Sequence, residues 1–247
     1  MGDDLSCPRQ KPAVAGWPGR FWGIIFDPVR TFAVIVCRPD FWAPLLALAG
    51  VAAAAAEILL RRFGMAEIVR RSIELSGRAG RITPEQMQRA VSQGARVGSV
   101  AAHLRAPVSV TLFLLVVAAI GSAILKAIYG LPIDFKTAFA VVAYADLPAA
   151  LAGLLAIAVV AFGDPARLNP GNIHPTNIGF YLSPLSISRP LYALAASIDV
   201  STVWFMGLFS IGLAAAVKGK VRPRSIFFCL LGLWAVWVAV KVGFAAL

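Results

Sequence analysis

The stretch 191–217, LYALAASIDVSTVWFMGLFSIGLAAAV, decides the fold class of this chain. It is long and apolar enough to cross a bilayer, and it carries one acidic residue, Asp199, inside the apolar run. A carboxylate is costly in hydrocarbon and is tolerated in a span only where it faces protein or water. The stretch therefore predicts a membrane span in the interior of a helical bundle.

The composition of the whole chain agrees with a membrane location. Hydrophobic residues make up 59% of the 247 residues, well above the roughly 45–50% of a soluble domain. The net charge of +11 would suggest nucleic acid for a soluble protein, but most of the Lys and Arg residues flank apolar runs, where anionic lipids attract them. We expect the lipid bilayer and its anionic lipids as the partner, and no nucleic acid.

Further apolar runs complete the predicted bundle. The predicted spans, in chain order, are 42–60, 106–128, 138–162, 191–217 and 226–247. Near the end of the first span Glu57 stands four residues before Arg61, which predicts an ion pair rather than a functional acid. In the third span Pro148 lacks a backbone donor and predicts a kink.

The chain before the first span divides into two segments. Residues 1–16 contain little that could be buried and predict a disordered tail, so the membrane domain is expected over 17–247. Apolar residues at helical spacing in 17–37, with charges between them, predict an amphipathic segment that lies on the membrane. Within it, Asp27 followed by Pro28 is typical of a helix N-cap and first helical position, which predicts two short helices meeting there.

Residues 61–105 form the one substantial polar region. The motif TPEQ at 83–86 is a capping box, so a helix should begin at Pro84 and contribute to a helical hairpin. Nine arginines and no lysine lie in this region, against three glutamates. They favour either anionic headgroups or an acidic partner, or they form a solvated face. The predicted fold is thus all-α: a polytopic membrane helical bundle with five transmembrane helices, an N-terminal amphipathic interfacial helix and a polar helical hairpin between the first two spans.

The distribution of Lys and Arg leaves the orientation of the chain undecided. With five spans, the segments outside the bilayer carry eleven Lys and Arg residues on one side of the membrane and eleven on the other. The positive-inside rule alone therefore favours neither orientation. The short loop 218–224 carries four cations in seven residues. Dense charge in a tight loop is harder to translocate than charge in a long one, which favours a cytoplasmic N-terminus.

The sequence contains no HExxH, GxSxG, Walker or GxGxxG motif, so we expect no catalytic, cofactor or metal site and no enzymatic activity. The polar residues of interest are a candidate intramembrane site, Asp146, Asp199 and Lys241, and candidate contacts to lipid headgroups, Arg20, Arg30, Arg61 and Arg62. At about 1.5 Å per residue, Asp199 and Lys241 fall at nearly the same depth on consecutive spans. This predicts an ion pair between them, with a transport role for Asp199 as the alternative.

Several short motifs occur in a set order along the chain. They are FDPVRTF at 26–32, Pro39 before the first span, TPEQ at 83–86, FKTAF at 135–139 leading to Tyr144 and Pro148, the Asn-rich loop 169–177, and Ile198-Asp199 followed by Trp204, Leu208 and Ile211-Gly212. In this order and spacing they resemble the Yip-domain family, the Ypt/Rab-interacting-protein fold, and most of all its bacterial branch. The resemblance implies five spans, a cytoplasmic N-terminus and no known catalysis.

Eukaryotic members of that family act in vesicle traffic with small GTPases and in membrane shaping. This sequence departs from that pattern in having no long acidic cytosolic region, so we do not expect the GTPase role here. We therefore expect a non-enzymatic membrane-organising or scaffold protein in the bacterial inner membrane, with a membrane-protein partner or a second copy of the chain as further partners. The alternative is a small transporter or channel that uses Asp146 and Asp199.

Overall fold

The computed structural model describes residues 16–75 and 82–246, and within these ranges the regular secondary structure is helical, with one isolated bridge between Asn177 and Asp199. Residues 1–15 of the predicted tail, residues 76–81 of the predicted hairpin and Leu247 lie outside the described residues. The α-helices are α1 Trp17–Phe26, α2 Pro28–Cys37, α3 Trp42–Phe63, α4 Met65–Leu75, α5 Pro84–Tyr129, α6 Phe135–Ala145, α7 Leu147–Phe162, α8 Arg189–Ala195, α9 Val200–Ala216 and α10 Pro223–Ala246.

In the described part of the chain, four helical segments are long and apolar enough to cross a membrane. They are Trp42–Phe63, Ala101–Tyr129, Phe135–Phe162 and Pro223–Ala246. The predicted span 191–217 is not among them, because the described chain leaves the helical conformation between α8 and α9. This corrects the prediction of one continuous helix, and it places Asp199 at a helix end rather than inside a helix.

The break between α8 and α9 has a clear hydrogen-bond basis. The backbone there pairs with a distant segment: the amide of Ile178 donates to the carbonyl of Ile198 at 3.2 Å, and the amide of Val200 donates to the carbonyl of Thr176 at 3.2 Å. The hydroxyl of Ser197 donates to the carbonyl of Ala193 at 2.7 Å. Such bonds compete with continuation of a helix. Because the two backbone bonds join residues 176 and 178 to residues 198 and 200, well over a helical turn away, apolar periodicity does not reveal them.

The break between α6 and α7 is of another kind, and it was predicted. The helix is interrupted at Asp146, two residues before Pro148. The amide of Ala149 donates to the carbonyl of Asp146 at 2.9 Å, which is a tighter turn than an α-helix makes. A proline has no backbone donor and disfavours the helical conformation at the residue before it. The helix is therefore interrupted beside Pro148, where the sequence predicted a kink.

Helix starts follow the local capping signals. At α5, the amide of Thr83 donates to Gln86 Oε1 at 2.9 Å and the amide of Gln86 donates to Thr83 Oγ1 at 3.3 Å, so the predicted capping box is confirmed. At α2, Asp27 Oδ1 accepts from the amide of Arg30 at 3.3 Å, as predicted for a cap followed by Pro28. Helix α5 then continues for 46 residues, so its polar beginning and its span form one helix.

The chain divides into two compact units. Unit 1 comprises Met1–Leu48, Val110–Ala149 and Thr202–Ala235, and unit 2 comprises Ala49–Ser109, Ala150–Ser201 and Val236–Leu247. In unit 1, α1 and α2 pack together and against α6, which is buried along nearly its whole length. A Cβ atom on Gly212 of α9 would lie 2.8 Å from Phe32 Cε1 of α2. Glycine is thus needed at this position for α9 to approach α2 so closely.

In unit 2, arginines tie the helices to the ends of their neighbours. Arg62 donates from Nε to the carbonyl of Val160 at 3.2 Å and from Nη2 to the carbonyl of Gly163 at 2.9 Å, and so bonds carbonyls at the end of α7 that lack helical partners. Arg61 pairs with Glu57 at 2.5 Å, which confirms the predicted ion pair.

Candidate functional site

Asp199 is the N-cap of helix α9. Its Oδ1 accepts hydrogen bonds from the amide of Ser201 at 2.7 Å and from the hydroxyl of Ser201 at 2.6 Å, and its Oδ2 accepts from the hydroxyl of Thr176 at 3.2 Å. A side chain in this position satisfies one of the donors that a helix leaves free at its start. The carboxylate that the sequence placed in the middle of a span therefore has three donors and a structural task.

The predicted ion pair between Asp199 and Lys241 is not formed. Lys241, on α10, donates from Nζ to the hydroxyl of Ser197 at 3.1 Å, while Asp199 takes its donors from Thr176 and Ser201. The prediction rested on equal depth in two continuous helices. It was wrong because the chain turns away from the helix axis at 196–199, which moves the carboxylate out of register with the amine.

A network of amides holds the loop before α8, and sequence reasoning missed it. Asn172 and Asn177 exchange two hydrogen bonds, of 3.0 and 2.9 Å, and Asn177 is 5% exposed. The amide nitrogens of Asn169 and Asn172 both donate to the hydroxyl of Tyr192, at 3.1 and 3.2 Å. Asn in a loop is typical of turns, and this turn preference hides its use in tertiary bonding.

Asp146 is the buried acid of unit 1. It ends α6 and is 8% exposed. Among the described residues its carboxyl group has no ion pair and no side-chain hydrogen bond, in contrast to Asp199. A carboxylate in such surroundings carries a desolvation cost without a compensating partner. Asp146 belongs to unit 1 whereas Asp199 and Lys241 belong to unit 2, so the three residues do not make up one site within either unit.

Arg20 of α1 is also buried in unit 1. It is 6% exposed, and its Nη1 donates to the carbonyl of Arg38 at 3.4 Å. Its Nε and the hydroxyl of the buried Tyr144 have no hydrogen-bond partner within the described chain. Arg20 is nevertheless near enough to act electrostatically on the Tyr144 hydroxyl. The predicted headgroup contact of Arg20 is thus corrected: its guanidinium is buried in unit 1, on the side of α1 that also buries Ile24.

The outward face of α1 is aromatic. Trp17 is 64% exposed, Trp22 is 59% exposed and Phe26 is 78% exposed, and the rings of Trp22 and Phe26 stack with centroids 6.2 Å apart. On the same helix, Ile24 is fully buried. After α1, the first turn of α2 is stabilised by the hydroxyl of Thr31, which donates to the carbonyl of Asp27 at 2.8 Å. Large aromatic side chains left uncovered on a short helix are typical of contact with another surface.

The other predicted headgroup contacts lie in varied surroundings. Arg30 on α2 is exposed. Arg61 is bonded to Glu57, whose other carboxylate oxygen lies 2.8 Å from His103 Nε2. Arg62 donates to backbone carbonyls, as described above. Contact of Arg30, Arg61 and Arg62 with lipid headgroups stays a prediction.

A denser charge network lies on α4, outside the membrane spans. Glu67 Oε1 accepts from Arg70 at 2.7 Å and from Arg71 at 2.6 Å. The hydrogen bonds from Arg70 and then Arg71 hold the pKa of Glu67 below its usual value, so the network weakens as the pH falls through that pKa. Arg71 also donates to the carbonyls of Pro165 and Leu168, at 3.1 and 2.8 Å, and so holds the loop after α7 to α4.

Comparison with protein families identifies the domain to which the chain is similar. A family model of the Yip1 domain covers residues 22–243. No curated protein and no solved structure matches the chain.

Proposed function

The chain belongs to the Yip1 domain family, and from this premise we propose that it is a non-enzymatic protein that organises the membrane in which it lies, in the bacterial inner membrane. Apolar helices and the family assignment establish a membrane protein. The proposal adds that the protein acts on the bilayer itself. The absence of catalytic motifs from the sequence supports a role without catalysis.

The observation that carries the proposal is the exposed aromatic face of α1. Trp side chains prefer the level of the lipid headgroups, where an apolar body and a polar N–H are both accommodated, and the exposed ring of Phe26 adds apolar area beside them. A short helix that presents such a face lies in the interface plane and displaces lipid there. In this protein the face has a firm support, because Arg20 and Ile24 anchor the opposite side of α1 in unit 1. We propose that α1 and α2 form the amphipathic interfacial element of the protein.

The proposed topology has five spans with the N-terminus in the cytoplasm. Four spans come from the long helices, and α9 is proposed as the fifth. Its 17 residues are at the short end of the roughly 17–25 that a transmembrane helix needs. The cations at 218–224 favour placement of that loop inside.

Reporter fusions test this topology. A reporter inserted near Gly219 should be active in the cytoplasm, and one fused after Leu247 should be active outside it, because one span separates the two positions. Cytoplasmic activity after Leu247 would exclude either the five-span count or the cytoplasmic N-terminus.

Reconstitution into liposomes tests the function. The full-length protein should deform vesicles into tubules or highly curved forms seen by electron cryomicroscopy, and the double variant Trp22→Ser, Phe26→Ser should do so much less. The matched control is Trp237→Ser, Phe244→Ser, which removes equally exposed aromatics from α10 and should leave deformation unchanged. Absence of deformation by the wild-type protein, or equal loss in both double variants, would contradict the proposal.

The same proteoliposomes address the transport alternative. The specific observation that favours it is the buried carboxyl group of Asp146, since an intramembrane acid without a partner is a functional candidate. Proton or solute flux that Asp146→Asn abolishes would replace the membrane-organising role. Asp199→Asn is less informative for flux than the sequence suggested, because Asp199 caps α9.

A further inference from the structure

We infer that unit 2 contains a binding site for one anionic phospholipid, in which Arg105 and Arg189 hold the phosphate and an adjoining apolar cleft holds an acyl chain. This site goes beyond the proposed function and does not depend on it. All of its residues belong to unit 2, whereas α1 belongs to unit 1.

Two adjoining clefts of different character form the site. One, of about 490 Å³, lies among α3, α4 and α5 and is lined mainly by aliphatic side chains and glycines. The other, of about 680 Å³, has Arg105, Arg189, Asn169 and Tyr192 in its lining. Leu59, Ile68, Ser72 and Arg105 line both clefts, so the apolar one leads directly into the cationic one. Each volume lies within the roughly 300–1,000 Å³ of ligand sites.

The charges of the second cleft are unbalanced. Among the described residues, none that lines either cleft is acidic. Neither Arg105 nor Arg189 forms an ion pair or a side-chain hydrogen bond with another part of the described chain, whereas Arg61, Arg62 and Arg71 of the same unit all have partners. Guanidinium groups bind phosphate oxygens through paired donors that match their geometry. The two arginines therefore have donors available for an anion.

Tyr192 adds an oriented donor. Its hydroxyl accepts from the amides of Asn169 and Asn172, at 3.1 and 3.2 Å, which fixes its position. A phenol has one proton to donate in addition, and in the described residues that proton has no acceptor. Because Tyr192 lines the cationic cleft, its hydroxyl can donate to a phosphate oxygen held by the arginines.

The cationic cleft and the apolar cleft together fit a phospholipid better than a soluble phosphate. A soluble anion would fill the cationic cleft and leave the apolar cleft empty. Arg105 lies in the first turns of the span Ala101–Tyr129, and Leu59 lies near the end of the span Trp42–Phe63. Residues at the ends of spans meet the boundary between headgroups and acyl chains, where a lipid presents both of its parts.

Lipid titration of the purified full-length protein in detergent tests the site. Native mass spectrometry should show one phosphatidylglycerol bound per chain, with a rise in the thermal unfolding temperature that phosphatidylcholine and glycerol 3-phosphate do not produce. The variant Arg105→Gln, Arg189→Gln should lower the affinity for phosphatidylglycerol about tenfold or more, since it removes the charge-assisted hydrogen bonds to the phosphate.

Two control variants make the result specific. Arg89→Gln, Arg167→Gln removes the same charge from exposed positions outside both clefts and should bind phosphatidylglycerol as the wild type does. Ala102→Phe, which fills the apolar cleft, should lower affinity while Arg105 and Arg189 remain. The inference fails if the Arg105, Arg189 variant binds normally, if the control variant loses equal affinity, or if glycerol 3-phosphate stabilises the protein as phosphatidylglycerol does.

Discussion

The helix break at Asp146 and the helix break at Asp199 lie in similarly apolar stretches but have different causes. At Asp146 the cause is local, because Pro148 stands two residues later in the same stretch. At Asp199 the cause is tertiary, because residues 176–178 pair with the backbone on either side of it. The side chains differ accordingly: Asp199 accepts three hydrogen bonds, while Asp146 is buried without a side-chain partner among the described residues.

This difference shows that an acidic residue in an apolar run has no single meaning. Asp199 stabilises the fold by capping α9 and bonding Thr176. Asp146 costs stability where it stands, and such residues persist in proteins mainly where function needs them. The same substitution should therefore have opposite effects on stability at the two positions.

The largest expected effect is that of Asp199→Ala. It removes the cap of α9 and the acceptor for Thr176, and it should lower the free energy of unfolding by about 3 kcal/mol, from about 1 for the cap and about 2 for the bond to a charged group. Reversible unfolding in detergent measures the change. Asp134→Ala, which removes the exposed cap of α6, is the control and should cost about 1 kcal/mol. Equal losses in the two variants would show that Asp199 stabilises the fold only as a helix cap and that its bond to Thr176 adds nothing.

Asp146→Asn should act in the opposite direction. Removing a buried carboxyl group that lacks a partner should raise the free energy of unfolding by about 1 kcal/mol. The matched variant is Asp199→Asn, which should lower it. A marked loss of stability from Asp146→Asn would show that its carboxyl group has a stabilising partner and that the two breaks are more alike than the structure indicates.

Pro148→Ala tests the local cause of the first break. The alanine restores a backbone donor, so the amides around 147–149 should exchange more slowly with deuterium, with a stability gain below about 1 kcal/mol. The break between α8 and α9, which depends on pairing with residues 176–178, should keep its exchange rates. If the exchange at 147–149 does not change, the break at Asp146 has a cause other than the proline.

The smallest expected effect is the coupling between Asp199 and Lys241. A double-mutant cycle of Asp199→Asn and Lys241→Met should give an interaction energy below about 0.5 kcal/mol, as expected for residues that share no bond. A cycle of Ser197→Ala and Lys241→Met should give a larger value, because Lys241 donates to Ser197 at 3.1 Å. Strong coupling of Asp199 to Lys241 would restore the ion pair that the sequence suggested.

Sequence reasoning succeeded where the interacting groups lie within one turn of helix. The cap of Asp27, the capping box of Thr83 and Gln86, and the pair of Glu57 with Arg61 all join residues at most four positions apart. The predicted headgroup contact of Arg20 was wrong. The apolar and charged residues of α1 indicated an amphipathic helix, but spacing alone did not say which face would be covered by α6.

The sequence by itself determined that the chain is a helical membrane protein of this family, since span length, composition, helix caps and Pro148 act through the local chain and the bilayer. Only the tertiary structure decided that 191–217 is divided, that Asp199 caps a helix and that Arg105 and Arg189 line one cleft. The reason is physical. Polar groups in an apolar protein bond to whichever partners folding brings near, and those partners lie tens of residues away in the sequence.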